Sequence, residues 1–134
     1  MALDKAMVYQ SNMINSSPTI TGVAAAEIAD VRCKGVKFDE NGKIVLASTA
    51  GEAIIGVGIL TNDSVTPEGF DVDIQVKDIG IVMVSGTVVA GAELAVDANG
   101  TFTTAAEGQF VAAIALEPGV DGQVIRAQLV KYMK

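Results

Sequence analysis

Two stretches of this chain carry the same parts in the same order, and that order confines the chain to a β scaffold. Residues 35–59 and 91–116 each run from a glycine through an Asn-Gly turn and a spacer of Thr, Ala and Gly into an apolar strand of small residues. The first stretch holds Asn41-Gly42, Ser48-Thr49-Ala50-Gly51 and Ile54-Ile55-Gly56-Val57-Gly58-Ile59. The second holds Asn99-Gly100, Thr103-Thr104-Ala105-Ala106-Glu107-Gly108 and Val111-Ala112-Ala113-Ile114-Ala115-Leu116. Asn and Gly tolerate the positive φ that tight hairpin turns require, so each Asn-Gly reads as a hairpin tip. Hairpins whose turns carry no catalytic group put the work of the protein on its surfaces and point away from an enzyme.

A chain of 134 residues is long enough to bury a core as one domain. Half of the residues are hydrophobic, yet only 4% are aromatic and there is no Trp, so the core must be built from Val, Ile, Leu, Ala and Met. The expected fold is mainly β, a small barrel or sandwich of about eight strands with at most one short helix. Residues 19–134 are expected to form a single β domain built from two hairpin pseudo-repeats, and residues 1–18 an extended N-terminal arm. No apolar run approaches the roughly 18 residues that span a bilayer. Met1-Ala2-Leu3-Asp4-Lys5 lacks the basic and apolar regions of a secretory signal, so synthesis in the cytosol and no membrane partner are expected.

Charge and absent residue types narrow the chemistry. Nine basic against sixteen acidic residues give a net charge of -7, with no Lys/Arg cluster, so the counterion release that drives nucleic-acid binding is missing. The acidic balance keeps an apolar β protein in solution. The absence of His removes the commonest general base and metal ligand, and with it any Ser-His-Asp or Cys-His arrangement. One cysteine, Cys33, makes neither an internal disulfide nor a zinc site. Arg32 and Lys34 flank it and would lower its pKa were it exposed, but with no base or second thiol beside it the favoured reading is a small buried residue. No cofactor is expected.

Along the chain, the stretch up to Ser17 is polar and irregular, closing on Asn15-Ser16-Ser17-Pro18. Met7, Val8, Tyr9, Met13 and Ile14 give it apolar anchors, so it reads either as an arm that lies along a neighbouring surface or as a tail without function. Ala24-Ala25-Ala26-Glu27-Ile28-Ala29 is the one stretch with helix propensity. Residues 54–60 read as a buried run whose glycines at 56 and 58 mark close approach by another backbone or a bent barrel strand. Asp71-Val72-Asp73-Ile74-Gln75-Val76-Lys77 alternates strictly and places Val72, Ile74 and Val76 on one face. Residues 79–84 are apolar throughout and read as buried on both faces. Residues 123–132 close the chain as a strand with Ile125, Ala127 and Leu129 inward.

Other apparent motifs dissolve on inspection. Gly56-Val57-Gly58 lacks the third glycine and the helix of a dinucleotide loop. Asp39, Glu40 and Asn41, or Asp71, Asp73 and Asp78, do not follow the EF-hand pattern and read as solvated faces. Asp97-Ala98-Asn99-Gly100 is a hairpin turn before it is a metal site. Ser85-Gly86-Thr87 is a turn, because no base accompanies the serine.

One resemblance gathers many of these parts. Gly80-Ile81-Val82-Met83-Val84-Ser85-Gly86-Thr87, Ala90-Gly91-Ala92-Glu93-Leu94, Val96-Asp97-Ala98-Asn99-Gly100-Thr101-Phe102-Thr103-Thr104, Ala112-Ala113-Ile114-Ala115-Leu116-Glu117 and the closing Gly122-Gln123-Val124-Ile125-Arg126-Ala127-Gln128-Leu129 follow one another. This succession resembles the small capsid cement, or head decoration, proteins of tailed bacteriophages. The resemblance covers roughly residues 19–129 and is best over the last fifty or so. It implies a virion protein on the outer surface of the expanded head, made in the host cytoplasm, trimeric on the capsid and partnered by the major capsid protein. The arm, through Met7, Val8, Tyr9, Met13 and Ile14, is the expected contact with the capsid or a neighbouring subunit. Two rivals remain: another virion module, such as a head-fibre base or a tail-associated β protein, and a small enzyme or ligand-binding barrel.

Overall fold

The computed structural model describes residues 17–134, and over that span the chain forms ten strands and no helix. The first half contributes β1 (Thr19–Val23), β2 (Gly35–Phe38), β3 (Ile44–Leu46), β4 (Gly56–Gly58) and β5 (Asp71–Gln75). The second contributes β6 (Ile79–Met83), β7 (Glu93–Val96), β8 (Phe102–Thr104), β9 (Phe110–Ala115) and β10 (Val124–Met133). Each half makes one antiparallel sheet, in the orders β1-β5-β4-β2-β3 and β6-β10-β9-β7-β8. Advancing every strand of the first order by five gives the second.

The edge strands of each sheet meet only through a single parallel bridge, Ala24 to Ile44 in the first and Val84 to Phe102 in the second, and no ladder closes either sheet: the fold is sandwich-like, and the barrel alternative does not hold. The strands number ten where about eight are expected.

The hairpin turns are built alike. Asp39 donates its N–H to the Lys43 carbonyl (2.7 Å) while its Oδ1 accepts the N–H groups of Asn41 (2.8 Å) and Lys43 (2.9 Å). Asp97 donates to the Thr101 carbonyl (2.8 Å), and its Oδ1 accepts from Asn99 (2.8 Å) and Thr101 (3.1 Å). An Asp that binds the backbone two and four residues on pre-forms the turn, and the glycine that follows takes the positive φ: 76° at Gly42 and 81° at Gly100.

The correspondence extends to the loops. Cys33 donates to the Gly58 carbonyl (2.7 Å) and Gly58 to Lys34 (3.0 Å); Gly91 donates to Ala115 (2.7 Å) and Ala115 to Ala92 (3.0 Å). Ile28 and Thr66 exchange both backbone bonds, as do Val88 and Gly119. Through these pairs Cys33 matches Gly91, and Gly58 matches Ala115.

A shared core joins the halves. Ala47, Ile54 and Val57 of the first pack with Val82, Leu94, Val96, Phe102 and Ile125 of the second, and Phe102 is wholly buried. Backbone bonds cross the same boundary: Met83 to Cys33 (2.8 Å), Gly35 to Gly100 (2.8 Å), Gly51 to Val96 (2.8 Å) and Phe110 to Gly51 (3.1 Å).

Three local expectations changed. Residues 24–29 are not helical, because Ala24 bridges to Ile44 and Ile28 to Thr66, and both are buried by those pairings; tertiary contact overrides a weak propensity. Residues 79–84 are covered on one face only: Gly80, Val82 and Val84 are buried, while Ile79 and Ile81 are exposed on an edge strand. The run over 54–60 is buried at Ile54 and over 56–58, half-buried at Ile55 and Ile59, and ends with Leu60 in solvent. By contrast Val72 and Ile74 of β5, and Ile125, Ala127 and Leu129 of β10, lie inward as their alternation requires.

Candidate interaction surface

Three of the large apolar residues left in solvent, Leu60, Ile79 and Ile81, lie together beside β6. In the β6–β10 ladder, Val84 donates to Gln123 (2.9 Å) and Leu129 donates to Asp78 (2.8 Å), so even-numbered residues of β6 face β10 and odd-numbered ones turn their backbone groups outward. Met83 uses its outward N–H on the Cys33 carbonyl, and the Gln75 amide donates to the carbonyls of Ile79 (2.8 Å) and Lys77 (2.9 Å). Between this edge and β4 lies a cleft of about 240 Å³ lined by Cys33, Gly58, Leu60, Gln75, Ile79 and Ile81, among others. Leu60 is 62% exposed and Ile79 56%.

The cleft is equipped for packing. Cys33 is its one titratable lining group, and it is buried; burial pushes its thiol pKa up, Asp30 adds to that, and Arg32 opposes it only weakly. The Arg32 guanidinium is turned to Asp30 instead, 2.9 Å away. The flanking cations therefore do not activate the thiol. The sequence signal for this surface was the uninterrupted apolar run over 79–84, whose two faces look the same until its edge position is known.

The other candidates occupy structural posts. Asp97 Oδ2 accepts the hydroxyls of Ser85 (2.6 Å) and Thr101, so the serine of Ser85-Gly86-Thr87 braces a hairpin. Burial acts to raise the Asp97 pKa, but its hydrogen bonds outweigh that and hold the carboxyl below the ordinary value. Asp73 accepts from the hydroxyls of Thr21 (3.2 Å) and Thr61 (3.1 Å), tying the β1–β5 face to the loop between β4 and β5. The glycines at 56 and 58 mark close backbone approach: a Cβ on them would lie 2.1 Å from the Gln75 carbonyl oxygen and 2.2 Å from that of Val31. Among the described residues no group of three or more His, Cys, Asp or Glu is placed to hold a metal ion. Met7, Val8, Tyr9, Met13 and Ile14 lie outside the described residues.

Fold and surface together define an all-β protein of two open sheets with a single strand order. Its architecture is similar to that of the N base of head fibre gp8.5 of bacteriophage phi29, with a TM-score of 0.63 over 87% of this chain and 98% of that one. The two are 16% identical, so the likeness is one of fold. No family model matches the sequence, and no curated protein matches it.

Proposed function

We propose that this chain is a structural protein of a bacteriophage virion, and within that class a head decoration, or capsid cement, protein. It binds the outer surface of the expanded head as a homotrimer and holds neighbouring major capsid protein subunits together, with no reaction, cofactor or nucleic acid involved. The observation that carries this reading is the fold likeness to a phage head-fibre base, found in a chain whose strand and turn motifs resemble decoration proteins. A protein that binds the assembled lattice and not the dissociated subunits shifts the equilibrium toward the intact shell. Contacts repeated around each head multiply that effect. The arm, through Met7, Val8, Tyr9, Met13 and Ile14, supplies the capsid contact, and an extended segment can do so by adding a strand to a free sheet edge.

The likeness favours a second reading equally, that of a head-fibre base, since it spans 98% of the phi29 fragment. Cosedimentation with expanded, empty heads, against unexpanded procapsids, separates the outcomes. Saturable binding to expanded heads with a raised rupture temperature is the result expected of a cement protein. Binding with an unchanged rupture temperature identifies a fibre base, and no binding to either removes the head-surface reading.

A further inference from the structure

The outward edge of β6 is taken at both ends and left unpaired between them. At one end the Ile79 carbonyl accepts the Gln75 amide (2.8 Å); at the other the Met83 N–H goes to the Cys33 carbonyl (2.8 Å) and Val84 bridges to Phe102. Between these lies Ile81, whose odd position turns its N–H and C=O away from β10. Among the described residues neither group has a hydrogen-bond partner on that side. Both border the cleft, because Cys33, Gln75, Ile79 and Ile81 all line it. Backbone groups beside an apolar lining are best met by a partner that brings backbone of its own.

The chain itself arrives at this cleft. Thr19, Gln75 and Val57 stand in one row across β1, β5 and β4, so their side chains share a face, and Gln75 and Val57 line the cleft. One residue earlier, the Pro18 carbonyl accepts the Val76 N–H (2.8 Å). Sixteen residues precede Ser17, and the large apolar ones nearest to it are Met13 and Ile14. At about 3.3 Å per residue, Ile14 has up to about 13 Å of chain from Pro18. That exceeds two strand spacings of about 5 Å, the distance from β1 to the cleft wall at β4. The cleft volume of about 240 Å³ falls below the roughly 300–1,000 Å³ of small-molecule sites and suits a side chain or two.

We propose that this cleft is the seat of the chain's own N-terminal segment in the free protein. Met13-Ile14 lies along β6, its backbone pairing with the N–H and C=O of Ile81 and one of its two side chains entering among Leu60, Ile79 and Ile81. Adjacent residues of an extended segment point to opposite faces, so either register seats one of the two. The polar Gln10-Ser11-Asn12 that precedes them leaves Met7, Val8 and Tyr9 beyond the cleft. The inference concerns the protein off the head and does not rest on the virion reading. Where the two meet, a capsid that engages Met13 and Ile14 must first draw them out of the cleft, whereas Met7, Val8 and Tyr9 are available from the start.

Methyl NMR and amide hydrogen exchange on the purified full chain test it, with the wild type set against the double variant Met13→Asp/Ile14→Asp. In the wild type, cross-peaks are expected from the Met13 or Ile14 methyls to those of Leu60, Ile79 or Ile81. Two carboxylates do not enter an apolar cleft, so in the variant the Ile81 amide should exchange more than about tenfold faster. Val82, whose N–H faces β10, should keep its protection and report that the domain is folded. Absence of the cross-peaks from the wild type, or equal Ile81 exchange in the two folded proteins, overturns the proposal. A sample mixed from labelled and unlabelled chains identifies the donor of the segment: cross-peaks between differently labelled chains would place a second copy's arm in the cleft and overturn it too. The cross-peaks are read on the wild type alone, so they decide even where the variant unfolds.

Discussion

Cys33 and Gly91 stand at the same point of the two halves, each donating its N–H over 2.7 Å to the strand beside it, and each with a positive φ, 64° and 85°. The left-handed region suits glycine and burdens a residue with a Cβ by about 1–3 kcal/mol. Cys33→Val, which adds β-branching, is expected to lower stability by about 1–3 kcal/mol. Cys33→Gly is expected to change it by less than about 1 kcal/mol, because relief of strain opposes the lost backbone entropy. Urea unfolding measures both. With its pKa raised by burial, the wild-type thiol should also label slowly at neutral pH and at once in denaturant.

The second half performs another experiment on the first. Gly58 matches Ala115, yet a Cβ at Gly58 would sit 2.2 Å from the Val31 carbonyl oxygen, a backbone atom that cannot rotate away. Gly58→Ala should therefore destabilise by about 1–3 kcal/mol, the usual scale of overpacking. Ala115→Gly should cost about 0.5–1 kcal/mol, the ordinary penalty of glycine in a strand. Equal costs in thermal unfolding would mean that β4 and the Val31 loop separate freely.

Asp97 links the turn to acid stability. Burial raises its pKa, while the bonds from Ser85, Thr101 and two backbone N–H groups more than offset this and leave it below 3.8. A depressed carboxyl contributes stability that is complete above the unfolded value and is lost as pH falls through the folded one. Asp97→Ala should cost about 1–2 kcal/mol at neutral pH. The urea midpoint of Asp97→Asn should fall less steeply than that of the wild type below about pH 4. Parallel pH profiles for the two would contradict the assignment.

Much of the fold was legible because its signals are local. The Asn-Gly turns and the alternation over 71–75 each follow from a few neighbouring residues, and the structure keeps Val72 and Ile74 inward. What escaped is set by distant neighbours. Ala24 and Ile28 lose their helix to Ile44 and Thr66, and Ile79 and Ile81 face solvent only because β6 lies at an edge. The cleft depends on Leu60 meeting β6 across the join between halves, which no stretch of sequence displays.

Glu52 and Gln109 latch the same loop with different chemistry. Glu52 accepts the N–H groups of Ser48 (2.7 Å) and Thr49 (2.8 Å) and pairs with Lys37, whereas Gln109 accepts only the N–H of Ala106 (2.8 Å). Burial pulls the Glu52 pKa up, but Lys37 and the two N–H groups win and hold it below 4.5. Glu52→Gln keeps an acceptor and loses the charge, so it should cost about 0.5–1 kcal/mol at neutral pH. Glu52→Ala, which also strands the two N–H groups, should cost about 1–2 kcal/mol. Because the folded pKa is depressed, the charge contributes fully above the unfolded value and nothing once pH has fallen through the folded one. The gap between wild type and Glu52→Gln in urea unfolding should therefore close on acidification. A gap that persists in acid would assign the latch to the loop hydrogen bonds and leave Lys37 without a part in it.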